Sequence, residues 1–244
     1  MTYCLAVKLD TGLVFASDSR TNAGVDQVSL YSKMSTFHVP DERLFVLLGA
    51  GNLATTQAVV NHIRRDLEEA EAKQNLSNVK ELYDCARYVG DISSRMQKLY
   101  RDPENNGKPN LEATFILGGQ IKGQPHDLYL IYPEGNSICV SPSKPYLQIG
   151  ETKYGKPILD RMLTSATTLE DAARCALVSL DSTHRSNLSV GPPFELSIYG
   201  KDCLELAQHL TLNDDSPIYA SIRDSWIETV KQGFQALPRF DWEQ

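Results

Sequence analysis

Three residues near the start of the chain have the types and spacing for acyl-transfer chemistry: Thr2, Asp18 and Lys33. Thr2 directly follows Met1, and Met1 is expected to be removed because a small residue follows it. Its loss leaves a hydroxyl and a free α-amine on one residue, and such an amine can act as general base for its own hydroxyl. The α-amine titrates near ~7.7–8.0 in models against ~10.4 for lysine, so part of it is already neutral in a cell. A buried lysine cation favours the neutral amine and the ionised hydroxyl, and an aspartate holds that lysine in place. Arg20 and Lys8 are further candidates for the cation.

These residues need a scaffold that brings them together. Leu5, Val7 and Leu9 alternate with Cys4, Ala6 and Lys8, which is strand period. Asp10-Thr11-Gly12 reads as a three-residue hairpin loop, returning through residues 13–18. In that register Cys4 opposes Asp18 and Thr2 opposes Arg20, so all four share one face, with Thr2 and Asp18 as diagonal neighbours roughly 7–8 Å apart.

Further along, strands are expected at 27–31, 34–39 and 43–48, the last an apolar run suited to burial on both faces. Helical spacing of apolar residues marks 53–71 and 79–100 as helices, followed by a polar loop at 102–110. Strands at 113–117, 127–132, 138–140 and 146–149 come next, then helices at 155–164 and 169–182. Strands at 195–199 and 205–210 and a helix at 217–237 complete the chain. This order is that of an α+β chain with antiparallel sheets under helix layers, read as one domain over residues 1–244.

Composition narrows the function. The chain has 244 residues, 41% hydrophobic and 23% charged, with a net charge of -7. That balance argues against a nucleic-acid partner. No segment has the apolar length of a membrane span, and the basic flank and apolar run of a secretory signal are missing. Cys4, Cys85, Cys139, Cys175 and Cys203 are scattered and odd in number, as in reduced cytoplasmic thiols. The five histidines form no metal-ligand spacing. The stretch Gly49 to Ala54, GAGNLA, fits a loose dinucleotide-loop pattern but lacks the returning parallel strand.

The segment TYCLAVKLDTGLVFASDSRTNAG resembles the start of a processed proteasome-type β subunit, with its Thr, its ASDSRT segment and the following Lys33. FVLLGAGNLATTQAVV is similar to the strand-to-helix segment of proteasomes and HslV, and the strongest likeness is to the bacterial ancestral β-subunit family, Anbu. This resemblance implies a four-layer αββα sandwich, the N-terminal-nucleophile hydrolase fold. It implies a threonine-type peptidase with Thr2 as nucleophile, Asp18 as supporting carboxylate, Lys33 as tuning charge, and Gly49 (or Leu48) as source of the oxyanion N–H. Ser189 is the serine expected from the downstream segment DSTHRSNLSVG, which also offers Asp181, Ser186, Asn187 and Gly191. Where proteasomes carry a catalytic-site Ser, this chain has Glu151.

The chemistry needs no metal, nucleotide or organic cofactor. The expected partners are copies of the chain itself, in a ring or open helical assembly, and a peptide or protein substrate. The last helix and the aromatic tail PRFDWEQ are the expected contact surfaces, and no residue points to a particular unfoldase. A non-proteolytic assembly of the same fold and an amidase for small or isopeptide substrates are the alternative readings.

Overall fold

The computed structural model describes residues 2–22, 28–69, 74–100 and 110–243. Met1 and most of the polar loop expected at 102–110 lie outside the described residues.

Two five-stranded antiparallel sheets form the centre. In chain order the strands of the first are β1 (Tyr3–Leu9), β2 (Gly12–Asp18), β10 (Tyr146–Gly150), β11 (Phe194–Gly200) and β12 (Leu206–Leu212), arranged β10-β1-β2-β11-β12. The second runs β5-β6-β7-β8-β9, from β5 (Met34–Val39), β6 (Arg43–Gly51), β7 (Ala113–Ile121), β8 (Asp127–Ile131) and β9 (Ser137–Cys139). A short ladder, β3 (Arg20–Asn22) with β4 (Val28–Leu30), stands apart from both.

Strand alternation sends one set of side chains between the sheets and the other toward helices. Cys4, Ala6, Leu13 and Phe15 meet Leu44, Val46, Leu48, Ile116 and Leu128 in the inter-sheet core. Tyr3, Leu5, Val7, Val14 and Ala16 instead pack under α3 (Lys156–Met162), α4 (Leu169–Ser186) and the start of α5 (Pro217–Gln235). On the other side Phe45, Leu47, Phe115 and Leu117 pack under α1 (Leu53–Glu68) and α2 (Leu82–Tyr100). The result is the expected α+β, four-layer αββα sandwich, and β6 is buried on both faces as its apolar run required.

The first hairpin departs from its expected register by one residue. Leu9 pairs with Gly12 and Cys4 with Ser17, so the loop is Asp10-Thr11 and Gly12 is already a strand residue. A neighbouring strand dictates this: Gly12 has φ +150, and a Cβ there would stand 2.0 Å from Tyr199 O on β11. Cys4 consequently faces the inter-sheet core with Ser17, while Asp18 falls on the opposite face, level with Tyr3.

The second helix begins at Leu82 rather than 79. Asn75 Oδ1 accepts from the N–H groups of Ser77 and Asn78, making a local turn. Arg43 then holds the carbonyls of Leu76 and Val79 at 3.2 and 2.8 Å, which keeps them out of a helix.

Candidate active site

The end of β2 delivers Asp18 to a position where its carboxyl is fully buried. Lys33 Nζ donates to Asp18 Oδ1 at 2.6 Å, and the lysine side chain is only 6% exposed. The same oxygen accepts from the Tyr3 N–H at 2.9 Å, and Oδ2 faces the Gly191 N–H at 3.4 Å. Burial pushes the Asp18 carboxyl above its ordinary range; the Lys33 charge and hydrogen bond, then the two N–H groups, pull it back. Lys33 Nζ also donates to Arg20 O at 2.6 Å, so the cation is fixed at both sides of the β2–β3 junction. Of the three candidate cations, Lys33 is therefore the one on Asp18. Lys8 pairs with Asp127 at 2.8 Å, and Arg20 donates to Leu188 O at 3.0 Å.

Thr2 sits at the mouth of β1, half-buried, one residue before the N–H that Asp18 holds. Its carbonyl accepts from the Glu151 N–H at 2.7 Å. That approach is close because Gly150, at φ +83, has no side chain; a Cβ there would lie 1.9 Å from Thr2 O. The buried Glu151 side chain accepts from Asn187 Nδ2 at 3.0 Å, and Asn187 Oδ1 accepts from the Ser189 N–H at 3.0 Å. The expected site residues thus fall into two groups. Asp18 and Lys33 touch each other, whereas Ser189 connects toward Thr2 through Asn187 and Glu151. Asp181 lies elsewhere, accepting from Tyr219 and Arg185 between α4 and α5.

Gly49 lies near the end of β6, and its N–H donates to Lys33 O at 3.0 Å. An oxyanion reaches this N–H only by sharing or displacing that bond. Beside it opens a cleft of about 430 Å³ lined by Lys33, Met34, Leu47, Gly49, Phe115 and one face of α1. The helix face is set by Asn52, whose side chain caps the Thr55 N–H at 3.1 Å.

A second buried carboxyl supports the Lys33 segment. Glu195 on β11 pairs with Ser17 on β2, which pairs with Cys4 on β1, giving a row across three strands on the inter-sheet face. Ser32 Oγ lies 2.9 and 2.8 Å from the two Glu195 oxygens, and Ser17 Oγ donates to it at 3.4 Å. Burial pushes the neighbouring Cys4 thiol well up, which leaves it a weak nucleophile. Sequence reasoning passed over Glu195, although an acid inside the apolar strand FELSIYG is the signal that marks it. Among the described residues no group of His, Cys, Asp or Glu has the arrangement of a metal site.

The chain matches the proteasome subunit family over residues 2–198. Among solved structures it is 43% identical to Anbu (ancestral beta-subunit) from Yersinia bercovieri, with 98% of each chain covered and a TM-score of 0.92. It is 45% identical to the subunit in the helical assembly of the Anbu complex from Pseudomonas aeruginosa, again with 98% of each chain covered and a TM-score of 0.92. Anbu from Hyphomicrobium sp. strain MC1 is 42% identical over 98% of this chain and 99% of that one, with a TM-score of 0.90. Among curated proteins, none matches the chain.

Proposed function

The chain belongs to the proteasome subunit family, and from that premise we propose that it is a threonine-type peptidase acting as a homo-oligomer. The observation that carries this reading is the buried Asp18–Lys33 pair, hydrogen-bonded to the backbone one residue beyond Thr2. A fixed cation at that depth is what an N-terminal hydroxyl and amine require to react near neutral pH.

In this mechanism Met1 is first removed. Thr2 Oγ then attacks the peptide carbonyl while its own α-amine, directly or through a water, takes the hydroxyl proton. That proton passes to the leaving amine as the C–N bond breaks, leaving an acyl ester on Thr2. Water, deprotonated by the same amine, hydrolyses the ester and restores the hydroxyl. Asp18 and Lys33 position and bias the amine, and the cleft beside Gly49 receives a substrate side chain.

The test is intact-mass measurement of untagged protein before and after a peptide epoxyketone, a probe that captures a terminal hydroxyl and amine together. The expected result is loss of Met1 and a single adduct on Thr2. Thr2→Ala should abolish both adduct and turnover while leaving the oligomer intact. Retained Met1 in every preparation, or turnover that survives Thr2→Ala, overturns the peptidase reading.

Self-assembly is supported by the helical assembly of the Pseudomonas relative and by apolar surface at the C-terminus. Phe240 and Trp242 stack at 4.4 Å, both exposed, and Phe234 and Leu237 earlier in the same C-terminal stretch are exposed too. Sedimentation of the full chain and of Phe240→Ser with Trp242→Ser checks it, a smaller species being expected for the variant. A cytoplasmic setting accords with five free thiols, none paired. The alternative of a non-proteolytic assembly is favoured by one observation, the Gly49 N–H donated to Lys33 O. The epoxyketone experiment separates the two.

A further inference from the structure

The cleft beside Lys33 has a charge pattern that its place in the fold does not require. Its walls are apolar near the sheet, from Leu47, Phe115 and Met34, and polar along α1, from Gln57, Asn61 and Arg64. Two cations and no carboxyl are among the lining residues. Lys33 is neutralised by Asp18. Arg64 has no ion pair among the described residues, although its neighbour Arg65 lies 3.9 and 3.7 Å from Asp66 and Glu69. A guanidinium lining a concave site, with no ion pair among the described residues, matters more than one on an open surface, because low-dielectric walls focus such a charge on whatever enters.

We infer that this cleft selects an acidic side chain on the residue whose carbonyl is attacked, with Arg64 as the recognising cation. The inference rests on the peptidase reading above and deepens it by naming a substrate class. The side is given by Gly49, which lines the same cleft. A carbonyl oxygen brought to that backbone places the side chain of its own residue, not of the leaving one, into the space below. There the methylenes of a glutamate lie along Leu47, Val60 and Phe115, and its carboxylate meets the guanidinium in a paired, planar contact. An arginine also discriminates against the isosteric amide, which offers one acceptor oxygen where the carboxylate offers two, and against lysine by repulsion.

The experiment uses the assembled protein with Thr2 exposed and fluorogenic peptides that differ only in the residue before the cleaved amide: Glu, Gln, Leu or Lys. The expected result is a kcat/KM for Glu about tenfold or more above that for Gln, shrinking as salt is raised. Arg64→Gln should bring Glu and Gln within about twofold, and Arg64→Glu should move the preference to Lys. Turnover with no preference for Glu, or a preference that survives Arg64→Gln, overturns the inference and leaves the peptidase reading standing. A second arm does not depend on chemistry: anisotropy of labelled peptides of the same four types on the Thr2→Ala protein. Tighter binding of the Glu peptide that is lost in Thr2→Ala with Arg64→Gln supports the cleft assignment even where no peptide is cleaved. Equal binding of all four overturns it. Thermal unfolding of the Arg64 variants, expected to match the parent because the residue is exposed on α1, separates recognition from folding.

Discussion

Replacing Lys33 by Met tests the central pair without changing side-chain volume much. The ammonium is lost from a place where it is 6% exposed, and among the described residues Asp18 keeps a fully buried carboxyl with the Tyr3 and Gly191 N–H groups alone. Removing one partner of a buried pair costs about 3–5 kcal/mol. Arg20 O also loses its donor, a loss worth about 1–3 kcal/mol on its own. Protonation of Asp18 limits the cost of the broken pair, and this gives the variant a pH signature. Burial already raises the folded-state pKa of Asp18, with Lys33 as the largest influence holding it down. A raised folded pKa means the native state keeps this proton more tightly than the unfolded chain, so the contribution to stability falls as pH rises through the window between them. Without Lys33 the folded pKa rises further and the window widens, at ~1.4 kcal/mol for each unit of displacement. The gap between wild type and Lys33→Met should therefore be several kcal/mol at about pH 8 and distinctly smaller at about pH 5. Urea unfolding at fixed protein concentration and both pH values measures it, and turnover at pH 8 should be lost in the variant. A gap that is the same at both pH values, or below about 1 kcal/mol throughout, would falsify the view that Lys33 and Asp18 form one electrostatic unit.

Three other perturbations follow from the same geometry. Glu195→Ala leaves Ser32 and Ser17 without their shared acceptor, so stability should fall by about 1–3 kcal/mol; kcat should fall more than KM changes, and Glu195→Gln should recover part of both. Asn52→Ala removes the cap of α1, which should cost about 1 kcal/mol in thermal unfolding and raise KM for peptides, since α1 forms one wall of the cleft. Gly90→Ala puts a Cβ 2.0 Å from Gly135 O, a backbone atom on the other side of the α2 contact, and should cost about 3 kcal/mol or more in the same assay while leaving the fold of the other helix layer intact.

Much of this architecture was legible because the signals are local. The apolar run from Arg43, the amphipathic spacing of α1 and α2 and the turn residues between them each depend on near neighbours in sequence. What sequence spacing missed depended on a third strand. The loop at Asp10–Gly12 looked like a three-residue turn, yet Tyr199 O lies where a side chain at Gly12 would be, and Gly12 joins the ladder instead. That single shift moves Asp18 to the face of Tyr3. Contact between Asp18 and the start of the chain is consequently made by carboxyl to backbone N–H, not by two side chains across a pair. Glu195 was hidden for a related reason, as its partners lie on β2 and before β5, far away in sequence.

Lys33 acts through its backbone as well as its charge. Its ammonium joins Asp18 to Arg20 O, while its carbonyl receives the Gly49 N–H. Groups along a strand alternate in direction, so Gly49 presents its N–H toward β5, whereas Ala50, paired with Thr114, turns toward β7. On the proposed mechanism, the cation beside the nucleophile and the amide facing the attacked carbonyl are thus held by one residue, whose neighbour Ser32 is held by Glu195. In that mechanism the seating of residues 32–34 therefore bears on both groups at once, and the buried Glu195, through Ser32, is the side chain that anchors that segment from β11.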